Sequence, residues 1–233
     1  MSMKIPLYLS LTAAEFHACQ KLPSHIAWMA CHFSPYSTGL TNLPGQLPEG
    51  SLLILNDRTP VHNHDPGQIC DALLHIVQRF SCRGILLDLQ RPNCSQTAAI
   101  AVEATNLPCP VILSEHYAQN LSCPVFLSPP PLHIPLKQHL APWHGREIWL
   151  EAALDSAAMT VTQTGSRYEP YPYDTQAEYP FCDEDLHCHY RIDRSADQVQ
   201  FLLRRDPIDI DALLTEAETL GVTGAVGLWQ ELG

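Results

Sequence analysis

The sequence predicts an α/β fold, a small closed (β/α)8 barrel of parallel strands. Two observations predict it. Short, almost continuously apolar runs alternate with capped, one-sided helices, and eight such runs can be counted. The 233 residues are 45% hydrophobic and only 16% charged, which supplies one sizeable core and excludes disorder. An open doubly wound sheet uses the same alternation and is the alternative architecture. One domain over residues 1–233 is expected, carrying an irregular β-rich insertion at 156–206 between the seventh and eighth strands.

In order, residues 3–10 read as the first strand, and Thr12 caps a helix, AAEFHACQKL, that stops before Pro23. Residues 25–33 form the second strand and, after a loop rich in Gly and Pro, 51–57 the third. Asp65 and Pro66 open a helix with Ile69, Leu73, Ile76 and Val77 on one face. The fourth strand is 83–90, followed by the helix SQTAAIAVEATNL and a fifth strand at 110–115. The connection to the sixth, 124–128, is too short for a long helix, and the seventh is 147–153. A periodic helix, IDIDALLTEAETLG, ends at Gly221, and 223–232 reads as the eighth strand. Within the insertion, HCHYRI and QVQFLLR flank a DRSAD turn and should pair as a hairpin. Its tyrosines, Tyr168, Tyr171, Tyr173 and Tyr179, either pack on their surroundings or line a sugar cleft.

Thirteen Lys and Arg against 25 Asp and Glu give a net charge of −12, which repels phosphate backbones and anionic bilayers alike. Neither nucleic acid nor a membrane is an expected partner. Pro6 interrupts the first apolar run and no small-residue cleavage site follows, so it reads as a strand rather than a signal peptide. Nine cysteines, an odd number with no CxxC pair, suit a reduced, cytoplasmic chain in which thiols serve as small hydrophobes. The sequence implies no cofactor.

The run Gly84-Ile85-Leu86-Leu87-Asp88-Leu89-Gln90-Arg91-Pro92 on the fourth strand resembles the DGxDxDxE strand of the family 18 glycoside hydrolases, the chitinases and spore-cortex glycosidases. The C-terminal helix and Gly-x-x-x-Trp run, with Trp229 at the Trp position, is similar to that family's last helix and strand. The resemblance implies a TIM-type barrel and a substrate-assisted mechanism, in which the final Glu is the acid and the preceding Asp orients the N-acetyl group that attacks the anomeric carbon. In this sequence those positions are Gln90 and Asp88, while the two earlier Asp positions hold Arg83 and Leu86. An amide has no tunable proton to give a leaving group, and general acid catalysis is worth roughly 10²- to 10⁴-fold. The resemblance therefore implies a barrel inactive as a chitinase that binds amino sugars or peptidoglycan fragments through Asp88, Gln90 and Trp229.

Two other chemistries are open. Asp57, Asp88, Glu115 and Glu151 fall near C-terminal ends of strands, where barrel active sites lie, and a relocated acid pair would serve a glycosidase or another hydrolase. His62-x-His64 with Asp65, and His187-x-His189 with Cys188, have spacings that can chelate a transition metal. Neither spacing is specific, and no metal site is assigned from sequence.

Overall fold

The computed structural model describes residues 5–59, 64–91 and 94–233. Eight parallel strands close on themselves: β1 (Leu7–Leu11), β2 (Ile26–Phe33), β4 (Leu52–Asn56), β5 (Gly84–Asp88), β6 (Val111–Ser114), β7 (Val125–Leu127), β8 (Ile148–Ala152) and β14 (Gly224–Leu228). β1 pairs with both β14 and β2, which completes the ring and excludes the open sheet. A two-residue strand, β3 (Leu40–Thr41), adds antiparallel to β2 within the loop that sequence left unstructured.

Every one of the eight strands sends at least one side chain into a single interior cluster: Tyr8, Ala27, Leu52, Ile54, Leu86, Ile112, Phe126, Trp149 and Val226. The period of two along a strand makes this possible, because the opposite side chains face the helices. Room for Trp149 comes from Gly224, where a Cβ would lie 2.7 Å from the indole ring.

The helices follow their caps. α1 (Ala13–Ala18) starts at a capping box in which Thr12 Oγ1 accepts from Glu15 N–H and Glu15 Oε2 accepts from Thr12 N–H. It ends sooner than the sequence suggests. In α2 (Pro66–Phe80), Asp65 accepts from Gln68 N–H, Pro66 occupies the first turn, and Ile69, Cys70, Leu73, Ile76 and Val77 are buried. α3 (Ser95–Ala104) and the single turn α4 (Glu115–Ala118) complete the helices before β7. The last four residues before the C-terminal glycine form a helical turn, α7 (Trp229–Leu232), so the eighth strand stops at Leu228 and Trp229 is not on it.

The chain divides into two compact units. One is the barrel, Pro6–Ser128, Gly145–Glu151 and Val222–Gly233; the other takes Ile5, Pro129–His144 and Ala152–Gly221. The second unit holds α5 (Leu136–Leu140) with a 3-10 turn behind it, and a five-stranded antiparallel sheet in the order β10-β9-β13-β12-β11. Its strands are β9 (Asp155–Thr162), β10 (Gly165–Pro170), β11 (Phe181–Asp183), β12 (Cys188–Arg194) and β13 (Gln198–Arg205), followed by α6 (Pro207–Thr219). The expected β12–β13 hairpin is present, with Ile192 opposite Phe201. Adjacent residues of β9 serve opposite faces. Ala157 joins Leu132, Cys188 and Leu203, while Ala158 joins Tyr179 and Leu202. Arg205 is almost fully buried, and its guanidinium donates to the carbonyls of Pro130, Leu186 and His187, which fastens the sheet to the segment before α5. Among the described residues no helix is long and apolar enough to cross a membrane.

Candidate functional site

The interior face of the barrel changes character at the C-terminal ends of its strands. Ile54 is followed two residues on by Asn56, Leu86 by Asp88 and then Gln90, and Trp149 by Glu151. The side-chain alternation that builds the core thus delivers polar groups to its upper rim. They line a cleft of about 580 Å³ together with Met29, His32, Asp57, Arg58 and Phe126. Its floor is apolar, from Ile54, Leu86, Phe126 and Val226, and its rim carries amides, carboxylates and one guanidinium. Such a vessel, apolar below with a few convergent polar groups, is the usual form of a small-ligand site.

Asp57 is buried, and its two oxygens accept the backbone N–H groups of Gln90 and Arg91, at 3.0 and 2.9 Å. Its role in the cleft is to fix the turn that follows β5. Gln90 Nε2 in turn donates to Asp88 Oδ1. The β4–β5 register sets Asn56 opposite Asp88, and Asn56 Nδ2 donates to the carbonyl of Met29.

Burial pushes the Asp88 carboxyl above its ordinary value, the Gln90 amide opposes that rise, and the Asp57 charge adds to it. Glu151 is pushed further, to about 7, first by burial and then by the charges of Asp88 and Glu231. A carboxyl with that value exchanges its proton near neutrality, the condition for general acid or base work.

The structure brings Asp57, Asp88, Gln90 and Glu151 to one cleft and leaves two other named residues out of its lining. Glu115, at the start of α4, accepts from Ser128 Oγ at 2.7 Å. Trp229 packs against the C-terminal glycine in α7. The four tyrosines singled out from sequence have partners within the second unit: Tyr168 OH accepts from Leu132 N–H, Tyr173 OH donates to Asp206, and Tyr171 and Tyr179 pack in the cluster around Ala158. The two HxH runs do not form chelating pairs among the described residues. His62 lies outside them, and His64 is buried against the Phe33 ring. His187 and His189 are held by different carboxylates, Glu216 and Asp209, while Cys188 is core. Asn56, Arg58 and His32 were not singled out from sequence, although the parity of Leu52, Ile54 and Asn56 would have found the first.

No protein-family model matches the sequence, and no curated protein does. Solved structures do match. The spore cortex-lytic enzyme SleL of Bacillus megaterium is 10% identical, with a TM-score of 0.57 over 98% of this chain and 71% of its own. A chitinase-like agglutinin from Robinia pseudoacacia is 13% identical, with a TM-score of 0.57 over 98% of this chain and 96% of its own. A class V chitinase from Nicotiana tobaccum in complex with NAG4 is 9% identical, with a TM-score of 0.56 over 97% and 94%. The chain has the fold of the family 18 glycoside hydrolases. At such low identity the likeness establishes the fold alone.

Proposed function

We propose that the family 18-like barrel binds amino-sugar oligomers of chitin or peptidoglycan origin in the cleft around Asp88, without the chitinase reaction. The observation that carries this reading is the Gln90–Asp88 hydrogen bond at the cleft's upper edge. It places an amide and a carboxylate, the two groups suited to an N-acetyl substituent, over an apolar floor. One of the structural neighbours holds NAG4 and another is a chitinase-like agglutinin, which accords with sugar binding on this fold. Trp229 has no part in the reading now that it lies outside the cleft lining. The nine free thiols fit a cytoplasmic location.

A second reading is favoured by Glu151. A carboxyl of the cleft that titrates at about 7 beside Asp88 has the properties of a relocated general acid for glycoside hydrolysis. One experiment separates the two. Chitotetraose and a muropeptide tetrasaccharide are titrated into the protein by calorimetry, and the same mixtures are examined for shortened products. Saturable binding without cleavage, abolished in Asp88→Ala, supports the binding reading; cleavage lost in Glu151→Gln supports the second. Absence of both binding and cleavage overturns both.

A further inference from the structure

The second unit brings three ligand-type side chains together from three separate elements. Cys182 and His189 are direct cross-strand partners on β11 and β12, so their side chains leave the same face of the sheet. Asp209 comes from the first turn of α6. A thiol sulfur, an imidazole nitrogen and a carboxylate oxygen of these three residues all lie within 4.8 Å of one another. We propose that Cys182, His189 and Asp209 bind a divalent transition metal, zinc by preference, with the fourth position left to water.

The donor set points to the ion. A thiolate with an imidazole selects a borderline or soft metal and disfavours magnesium and calcium, and three protein ligands suit a four-coordinate ion with one exchangeable position. Metal–ligand bonds of about 2.0–2.3 Å place the donors of a tetrahedral site roughly 3.3–3.8 Å apart. Closing from 4.8 Å asks for movements of about 1 Å, within reach of an exposed cysteine on a three-residue strand.

The surroundings fit a cation. Asp183, Glu184 and Asp209 all act electrostatically on Cys182, a field that a dication would neutralise. The neighbouring Arg204, opposite His189 in the sheet, has its guanidinium engaged by Asp206 at 2.8 Å and laid over the Tyr179 ring. Asp209 is already fixed: its Oδ2 accepts from Asp206 N–H and lies 3.0 Å from His189 Nδ1. That separation is already close to the spacing of two donors on one tetrahedral ion. The bound ion would tie the edge strand β11 to the start of α6, two elements otherwise joined through β12 and β13.

The test uses the full chain, reduced and stripped with chelator, titrated with Co²⁺ and then competed with Zn²⁺. One equivalent should bind with the thiolate-to-cobalt charge-transfer band and strong visible bands of a four-coordinate site, and zinc should remove them. Cys182→Ser should lose the charge-transfer band and at least ~10-fold in affinity, and His189→Gln should weaken binding similarly. Excess zinc should raise the melting temperature of the wild type, and raise that of Cys182→Ser by less. No binding, or an unchanged band in Cys182→Ser, overturns the proposal; the latter would assign the ion to one of the other eight thiols.

Discussion

Asp57 holds the backbone of Gln90. Its carboxylate oxygens accept the N–H groups of Gln90 and Arg91, so the end of β4 dictates the path of the chain after β5. Two part-buried bonds to a charged acceptor make this contact strong, and losing both is costly.

Asp57→Ala should therefore destabilise the protein by about 3 kcal/mol. Chemical denaturation will measure it. If the cleft takes amino sugars, the same variant should also lose affinity for them, because the turn that carries Gln90 is released. A loss below about 0.5 kcal/mol would show that the turn is set by other contacts.

Glu151 makes stability depend on pH. Its folded value of about 7 lies above the ordinary 4.5, so the folded state binds the proton more tightly than the unfolded state. The proton therefore stabilises the fold at low pH, and stability falls as pH rises from 4.5 through about 7. Glu151→Gln should remove that slope. At pH 8 the variant should exceed the wild type by about 2 kcal/mol at most, since a tenfold change in acidity is worth ~1.4 kcal/mol and the open cleft screens part of it. Thermal melts at pH 4 and pH 8 decide it; an equal difference at both would refute the assignment.

Gly84 is a glycine for a packing reason. A Cβ at this position would lie 2.5 Å from the carbonyl oxygen of Pro110, which accepts the N–H of Ile85. Gly84→Ala should cost about 1–3 kcal/mol by forcing β5 and β6 apart. Tolerance of alanine in a denaturation series would contradict that spacing.

Gln90→Glu would set a second carboxyl against Asp88, in place of the amide that now donates to it. Like charges at that separation raise one pKa, the condition for a general acid. If the cleft takes amino sugars, this variant should cleave a chromogenic chitooligosaccharide at least ~100-fold faster than the wild type. No gain, in a variant shown to fold and bind sugar, would mean that the ligand is not seated as in a chitinase.

The fourth barrel strand was legible because its physics is local. Parity along Gly84–Asp88 predicts that Leu86 and Asp88 share the interior face, and the structure places Leu86 in the core and Asp88 in the cleft directly above it. What the sequence did not show lay at element ends and at distance. Trp229 was read as strand because the apolar run continues through it, but the chain turns into a helix at the point where strand pairing with β1 stops. Glu115 sits at a strand end like Asp57, yet bonds to Ser128.

From sequence alone came the strand count, the helix caps at Thr12 and Asp65, and the polar residues Asp88 and Glu151 at strand ends, because backbone periodicity, capping and side-chain chemistry act within a few residues. Only the tertiary structure decided that Asp57 is a clamp, that Glu151 titrates near neutrality, and that Cys182 meets His189 and Asp209. Desolvation and Coulomb interaction depend on distances through space, and those distances exist only once the strands have closed and paired.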